Sequence, residues 1–356
     1  VPQRVIVGLS GGVDSAVAAW LLKEQGYSVS ALFMQNWAED ESSYCTSAED
    51  YQQARAVADE LGITLHKVDF SAAYRERVFA LFLRQLQEGK TPNPDVLCNR
   101  EIKFQPFVEH ALRLGADWVA TGHYARIEQH ADGPRLLCAV DANKDQTYFL
   151  AGVARDDFIH VQFPLGALTK PEVRALAGKV GLPNHQRKDS TGICFIGERP
   201  FGSFVAEHLP LAPGPIESDT GEVLGQHQGL QFFTLGQRKG IGIGGRQGAA
   251  ETAWFVVDKQ PSRRALIISQ DGEHPLLLRR EVVTENFHWL APPPISARPL
   301  YGRLRHRQPL AACTVQLRDD GSLKALFETP QRAVTPGQYL AIYDGERCLG
   351  CGEIST

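Results

Sequence analysis

The stretch "VIVGLSGGVDSAVAAWLL", Val5–Leu22, sets an apolar run, a glycine-centred loop and an apolar stretch with helical spacing in direct succession. A strand that feeds a helix through such a loop opens a βαβ unit. The alternation continues with "SVSALFM", then a helical pattern over Ala48–Leu61, then "TLHKVDF". From Arg4 to about Leu182 this predicts an α/β domain with a doubly wound parallel sheet. Ligands of such sheets sit at the carboxyl ends of the strands. The loops after Val5–Gly8, Ala31–Met34 and Trp118–Thr121 are therefore expected to face one site.

Two long polar segments, Ala38–Ala48 and Gln87–Arg100, interrupt this pattern, and loops of that length are usually functional or mobile. After about Pro200 the text turns to short Gly- and Pro-rich segments such as "RKGIGIGGRQGA". A second shift near Gln270–Pro275 leads into β-rich text with regular turn signals, which reads as a small antiparallel barrel or sandwich. The expected division is a catalytic domain over 1–200, a small central domain over 201–272, and a C-terminal antiparallel β-barrel over 273–356.

A chain of 356 residues, 43% hydrophobic and 22% charged, has the composition of a soluble globular protein. No run approaches the roughly 20 apolar residues that cross a bilayer, so no membrane association and a cytoplasmic location are expected. The net charge of −4 argues against a non-specific nucleic-acid coat but leaves room for a local basic stripe. "RPLYGRLRHRQ" carries Arg298, Arg303, Arg305 and Arg307 without an acid among them. On a strand they would line one face suited to RNA phosphates, with a charge-protected edge as the other reading.

Ser10, Gly11, Gly12, Asp14 and Ser15 place backbone N–H groups and hydroxyls at a strand-to-helix turn, where an anion binds. The loop lacks the lysine that a Walker A loop sets before its last Ser/Thr. It is thus poorly suited to γ-phosphoryl transfer and better suited to holding pyrophosphate as it leaves an attacked α-phosphorus. The seven cysteines are scattered, as thiols with chemistry or thiols in cores would be. "TPNPDVLCNREIKF", Thr91–Phe104, sets Asp95 three residues before Cys98, and "DSTGICFIGE", Asp189–Glu198, contains Cys194. A thiol at a helix start or near Arg100, Lys103 or Lys188 would be activated, whereas a buried thiol would be inert. Asp95 reads equally as a proton-transfer group or as a helix cap. Cys348 and Cys351 form a CxxC without the second pair that a structural zinc site needs, so they read as packing, as do Cys45, Cys138 and Cys313.

SGGxDS resembles the signature of the PP-loop ATP pyrophosphatases. With "FMQNW", "TPNPDVLCN", "ATGHYAR", "KDQTYFL", "STGICFIGER" and "FTLGQRKGIGIGG" in order, the chain resembles the tRNA-specific 2-thiouridylases through most of its length. The resemblance implies ATP as substrate, with Mg2+ expected at ligands the sequence does not reveal. Gly8, Leu9, Ser10, Gly11, Gly12, Val13, Asp14 and Ser15, with Met34 and Gly122, would hold the nucleotide. It implies adenylation of O2 of the wobble uridine in tRNAs of the Lys, Glu and Gln type, then attack on C2 by sulfur carried as a persulfide on Cys194. Cys98 would be the second cysteine, closing a transient disulfide with Cys194, and Asp95 would assist proton transfer. Asn93, Pro94 and Asp95 would meet the target base. His123, Lys144, Asp145, Gln146, Arg305, His306 and Gln338 would contact tRNA. A sulfur-relay protein is implied as partner, and a monomer is expected. Cys351 stands where the family has a small residue. Two competing readings remain: another PP-loop ligase, which would keep activity without Cys98 and Cys194, and a tRNA-binding protein that holds ATP without cleaving it.

Overall fold

A computed structural model describes residues 2–37, 47–189, 200–243, 253–292 and 299–355. Cys45, Cys194 and Arg298 lie outside the described residues, as does nearly all of the polar segment 38–48.

Strands β1 (Arg4–Gly8), β2 (Ser28–Gln35), β3 (Leu65–Asp69) and β4 (Trp118–Thr121) run parallel. A hairpin of β5 (Arg126–His130) and β6 (Gly133–Leu137) follows, and the two-residue β7 (Val161–Gln162) completes the first sheet in the order β3-β2-β1-β4-β7. The chain reverses its direction of travel between β1 and β4, which is where such sheets bind ligands. Val5, Ile6 and Val7 are all buried, as a central parallel strand covered on both faces requires. Helix α1 (Val13–Glu24) packs its alanines and valines against one face, together with α2 (Ser47–Leu61).

The chain after β3 continues as α3 (Ser71–Tyr74) and α4 (Ala80–Gln87), joined by a π-helical turn. The expected long loop Gln87–Arg100 is mostly helix instead. Asn93 caps α5 (Pro94–Cys98) through Val96 N at 3.3 Å, Pro94 sits in the first turn, and a π-helical turn carries on to Lys103. Proline just inside a helix start behind an Asn cap is a favourable beginning, because its missing N–H would have had no helical partner. Helices α6 (Pro106–Arg113), α7 (Thr147–Leu150) and α8 (Lys170–Val180) complete the domain. Helix α8 opens with a Thr169/Glu172 capping box and stops at Gly181 in the left-handed conformation.

Beyond α9 (Phe201–His208) lies a four-stranded sheet of β8 (Gly214–Ser218), β9 (Val223–His227), β10 (Phe255–Gln260) and β11 (Ala265–Ser269), in the order β10-β11-β8-β9. The last part contains β12 (Leu278–Trp289), β13 (Leu300–Arg303), β14 (Ala311–Leu317), β15 (Leu323–Arg332), β16 (Tyr339–Asp344) and β17 (Arg347–Ile354). Pairing of β12 with both β15 and β17 closes these six strands into an antiparallel barrel around its own apolar core. The β5–β6 hairpin of the first domain joins the outside of β17, pairing Leu137 with Arg347.

The arginine stripe expected from "RPLYGRLRHRQ" does not form. Strand β13 ends at Arg303, and Arg305 and Arg307 occupy the turn beyond it, with Arg307 at φ 66°. Arg303 points inward and donates to Asp145 Oδ2 at 2.6 Å, with the two side chains 8% and 1% exposed. Asp145 also accepts from Ala139 N and Thr147 Oγ1. A buried charge left without its partner costs about 3–5 kcal/mol. Arg303→Met is therefore expected to lower the unfolding free energy by about that amount in denaturant titration, a far larger loss than from the same change at exposed Arg305.

Candidate functional site

The turn between β1 and α1 is built from its own hydroxyls. Ser15 Oγ accepts from Ser10 N at 3.1 Å, lies 3.2 Å from Ser10 Oγ and donates to Gly12 O. Gly12 occupies the N-cap position in an extended conformation, and no side chain caps the helix there. The first-turn N–H groups and the positive end of the helix dipole thus remain directed at a ligand. Gly122, just after β4, lies against this turn so closely that a Cβ would come within 2.6 Å of Ser15 N. Met34, near the carboxyl end of β2, is half-buried and packs on the other face of the sheet, with Ile6 and Leu32. The expected nucleotide residues Gly8–Ser15, Met34 and Gly122 therefore meet at the carboxyl ends of β1, β2 and β4.

An ionic network that sequence reasoning missed surrounds the turn. Lys170, at the start of α8, donates to Asp14 Oδ1 at 2.7 Å and Oδ2 at 2.8 Å and pairs with Asp189 at 2.8 Å. Asp189 also holds Lys144 at 2.7 Å and Arg174 at 2.6 Å. Desolvation works against its carboxylate, but the hydrogen bonds and charges of Lys144 and Lys170 outweigh it and hold Asp189 well below the usual carboxylate range. Tyr124 donates to Asp14 Oδ1 at 2.8 Å, and burial together with that negative neighbour pushes its hydroxyl far up. Asn184 and Arg187 donate to Gly11 O at 2.9 and 3.1 Å. Lys144, Lys170 and Arg174 thus gather on Asp14 and Asp189 beside the anion-facing helix end, while Arg187 pairs with Asp50. The lysine absent from the loop has a counterpart in Lys170, whose only local signal is the Thr-Lys-Pro-Glu start of a helix.

Residues expected to touch tRNA divide into two groups. Lys144, Asp145 and Gln146 lie beside Arg303–His306: His306 Nε2 is 3.1 Å from Asp145 O and its ring packs on Phe149 at 4.6 Å. Gln146 accepts from Tyr124 N at 2.9 Å, which links this strip to the nucleotide turn. Arg305 is exposed, while Lys144 is half-buried with its ammonium on Asp189. The Asp145 carboxylate is enclosed by Arg303, Thr147 and Ala139 and holds the strip together.

His123 stands two residues beyond β4. It is 9% exposed, takes a 2.7 Å hydrogen bond with Thr121 Oγ1 and packs between Phe104 and Phe163. Burial, helped by the charge of Lys103, pushes its imidazole well down.

The second group rides on α5. Asn93 and Gln338, 245 positions apart, meet side chain to side chain at 3.2 Å. Asp95 is half-buried at the second helical position, beside fully buried Pro94. Cys98 is not at a helix start: it closes α5 and runs into the next helical turn. It is 1% exposed among Trp37, Tyr74, Phe79, Phe82 and Leu97. Cys348 and Cys351 are buried in the core beneath the first sheet, and burial pushes the Cys351 thiol up to about 12 and raises that of Cys348 well above the ordinary thiol range. Among the described residues there is no cluster of histidines, cysteines and carboxylates able to hold a metal ion.

A family model described as the tRNA methyl transferase HUP domain matches residues 3–198. Companion models for a PRC-barrel domain and an aminomethyltransferase beta-barrel domain match residues 202–270 and 279–354. These define the class: a HUP-domain chain of the PP-loop type, with a small central barrel-like module and a terminal β-barrel. The tRNA-specific 2-thiouridylase MnmA of Pseudomonas putida (strain GB-1) is 51% identical over 99% of this chain and 95% of its own length. Those of Alcanivorax borkumensis and Cupriavidus metallidurans are 53% and 50% identical, covering 98% and 99% of this chain and 96% and 99% of their own. The chain belongs to the tRNA-specific 2-thiouridylase family.

Burial raises the Asp95 carboxyl above the ordinary aspartate range, against the opposing charge of Lys103. Its proton is held more tightly in the native than in the unfolded state, so its contribution to stability is complete below about pH 4 and is lost as pH rises through the raised value. Asp95→Asn is expected to melt above wild type at pH 7–8, with the gap closing by about pH 4. Melting curves across pH check this, and a neutral-pH loss of stability would contradict it.

Proposed function

We propose that this chain thiolates C2 of the wobble uridine of tRNA, using ATP, through three domains at 1–200, 201–272 and 273–356. The observation that carries the reading is the uncapped α1 N-terminus with its Ser10/Ser15 hydroxyls, pressed against Gly122 and flanked by Lys170 and Arg187. Such a turn favours phosphate oxygens and opposes a cationic sulfonium donor, so it fits pyrophosphate chemistry better than methyl transfer.

In this scheme ATP binds at Gly8–Ser15, near Met34 and Gly122. O2 of the uridine attacks the α-phosphorus, and pyrophosphate leaves with the electron pair of the broken P–O bond. The base now carries AMP on O2. The terminal sulfur of a Cys194 persulfide attacks C2, and AMP departs with the former O2. Cys98 attacks the inner sulfur of the Cys194 persulfide adduct, the thionucleoside is released, and a Cys98–Cys194 disulfide remains to be reduced. Asp95, with a carboxyl that burial raises above the ordinary aspartate range and three residues from Cys98 on one helix, is the group for proton transfer. Asn93 and Pro94 would meet the base, and Lys144, Gln146, Arg305, His306 and Gln338 the rest of the tRNA. A uridine must be splayed from its stack to reach this site.

Mg2+ fits as a companion of the phosphates and not as a protein-held ion. Asp14 is committed to Lys170 and Tyr124, Asp189 to three cations, and the described residues supply no ligand cluster. A sulfur-relay protein would load Cys194, and the enzyme would act as a monomer in the cytoplasm. No helix among the described residues is long and apolar enough to cross a membrane.

Unmodified tRNA, ATP, Mg2+ and a persulfide donor, followed by nucleoside mass analysis, test the reading. Wild type is expected to form 2-thiouridine, and Cys194→Ser and Cys98→Ser to lose it by at least about 100-fold while still releasing pyrophosphate, since the adenylation step needs neither thiol. Pyrophosphate without thiouridine in wild type would assign the chain to another adenylation. Gly122→Ala is expected to weaken ATP binding at least about tenfold in titration calorimetry, because its methyl would displace the first turn of α1.

A further inference from the structure

A run of polar contacts ties the last strand of the barrel to one short stretch of the first domain. Glu353, on β17, accepts from Gln85 Nε2 at 2.8 Å with one carboxylate oxygen and from Lys90 Nζ at 2.9 Å with the other. Gln85 is the buried end of α4, and Lys90 stands in the turn that leads from α4 to α5. At the next residue the backbone itself is gripped: Thr91 N donates to Pro336 O at 2.9 Å, and Gln338 Nε2 donates to Thr91 O at 2.8 Å. Gly337 is at φ 90°, and a Cβ there would lie 3.0 Å from both Lys90 and Thr91, so the two chains touch with no room between them. Thr91 Oγ1 also lies 2.9 Å from Thr234 Oγ1 of the central part.

The grip passes into α5 through Asn93. An Asn amide has a donor end and an acceptor end. Gln338 Oε1 takes the donor end, which turns the acceptor end to Val96 N, where it caps the helix. Asp95 and Cys98 ride on that helix. Lys90 and Glu353 are only partly screened, with side chains 25% and 21% exposed, so their pair is more than a mobile surface contact.

We propose that Glu353 is a positioning residue for the sulfur-transfer chemistry: through Gln85 and Lys90 it sets the turn that fixes α5, and with it the placement of Asp95 and Cys98. This rests on the functional reading above. The barrel is then part of the machinery that shapes the reacting segment, in addition to any contact it makes with tRNA.

Glu353→Ala and Glu353→Gln, with Lys90→Met as an independent cut of the same link, test it in the full chain. Glu353→Ala and Lys90→Met are expected to lower kcat for thiouridine formation at least about tenfold with KM for ATP within about twofold, and to speed amide exchange at Val96 and Leu97 about tenfold. Glu353→Gln keeps its one acceptor oxygen for Lys90, while its NH2 can donate to the Gln85 oxygen once that amide turns round, and is expected to restore kcat to within about threefold of wild type. Cys313→Ala, in the barrel's own core, supplies a variant of comparable thermal destabilisation with no contact to the clamp. If Cys313→Ala loses kcat equally at matched melting temperature, or if Glu353→Ala leaves both kcat and exchange at wild-type values, the proposal is overturned. If wild type forms no thiouridine while exchange at Val96 still rises in Glu353→Ala, the clamp stands and the functional reading falls.

Discussion

A glycine at position 122 lets the end of β4 lie directly on the first turn of α1, and the rest of the site is arranged around that approach. Because no side chain intervenes, the Ser10–Ser15 hydroxyls and the uncapped helix end face the space above the sheet. Residues that follow Gly122 in sequence are then carried alongside: Tyr124 reaches Asp14, and Gln146 reaches Tyr124. The helix α8 closes the arrangement by bringing Lys170 to the same aspartate. One backbone contact thus brings an anion-facing helix end and a network of paired charges together.

The loop and the parallel sheet were legible in the sequence because both are local. Strand β1, the turn and α1 lie within 21 consecutive residues, and apolar periodicity marks each boundary. The ionic network was not legible because it joins residues 156 positions apart, and no short pattern separates a lysine that starts a helix from one that guards a phosphate site. The arginine stripe failed for a related reason. Alternation predicts a face only while the strand lasts, and β13 ends at Arg303, whose guanidinium found a carboxylate 158 positions away. Asp95 was left between cap and acid from sequence; the cap is Asn93, two residues earlier, which leaves the Asp95 carboxyl unneeded for that purpose. His123 shows how a histidine inside a recognised motif can still serve packing, since its ring fills a gap between two phenylalanines.

The burial of Cys98 sharpens the chemistry. A thiol buried among Trp37, Tyr74, Phe79 and Phe82 is protected from adventitious oxidation. On the same helix, burial raises the Asp95 carboxyl above the ordinary aspartate range. Both features depend on the helix being held in place, and most of what holds its start comes from distant parts of the chain.

The barrel closes only when β17 pairs with β12, and β17 is also the strand on which the β5–β6 hairpin rests. During synthesis the first domain emerges long before that strand, carrying a hairpin edge and a turn that both await residues near 340–354. Contacts of such large sequence separation form late, because loop closure must precede them. A nascent chain would therefore hold a nearly finished nucleotide fold whose reacting segment is still unanchored, and completion of the last strand would mark the moment at which the enzyme becomes competent.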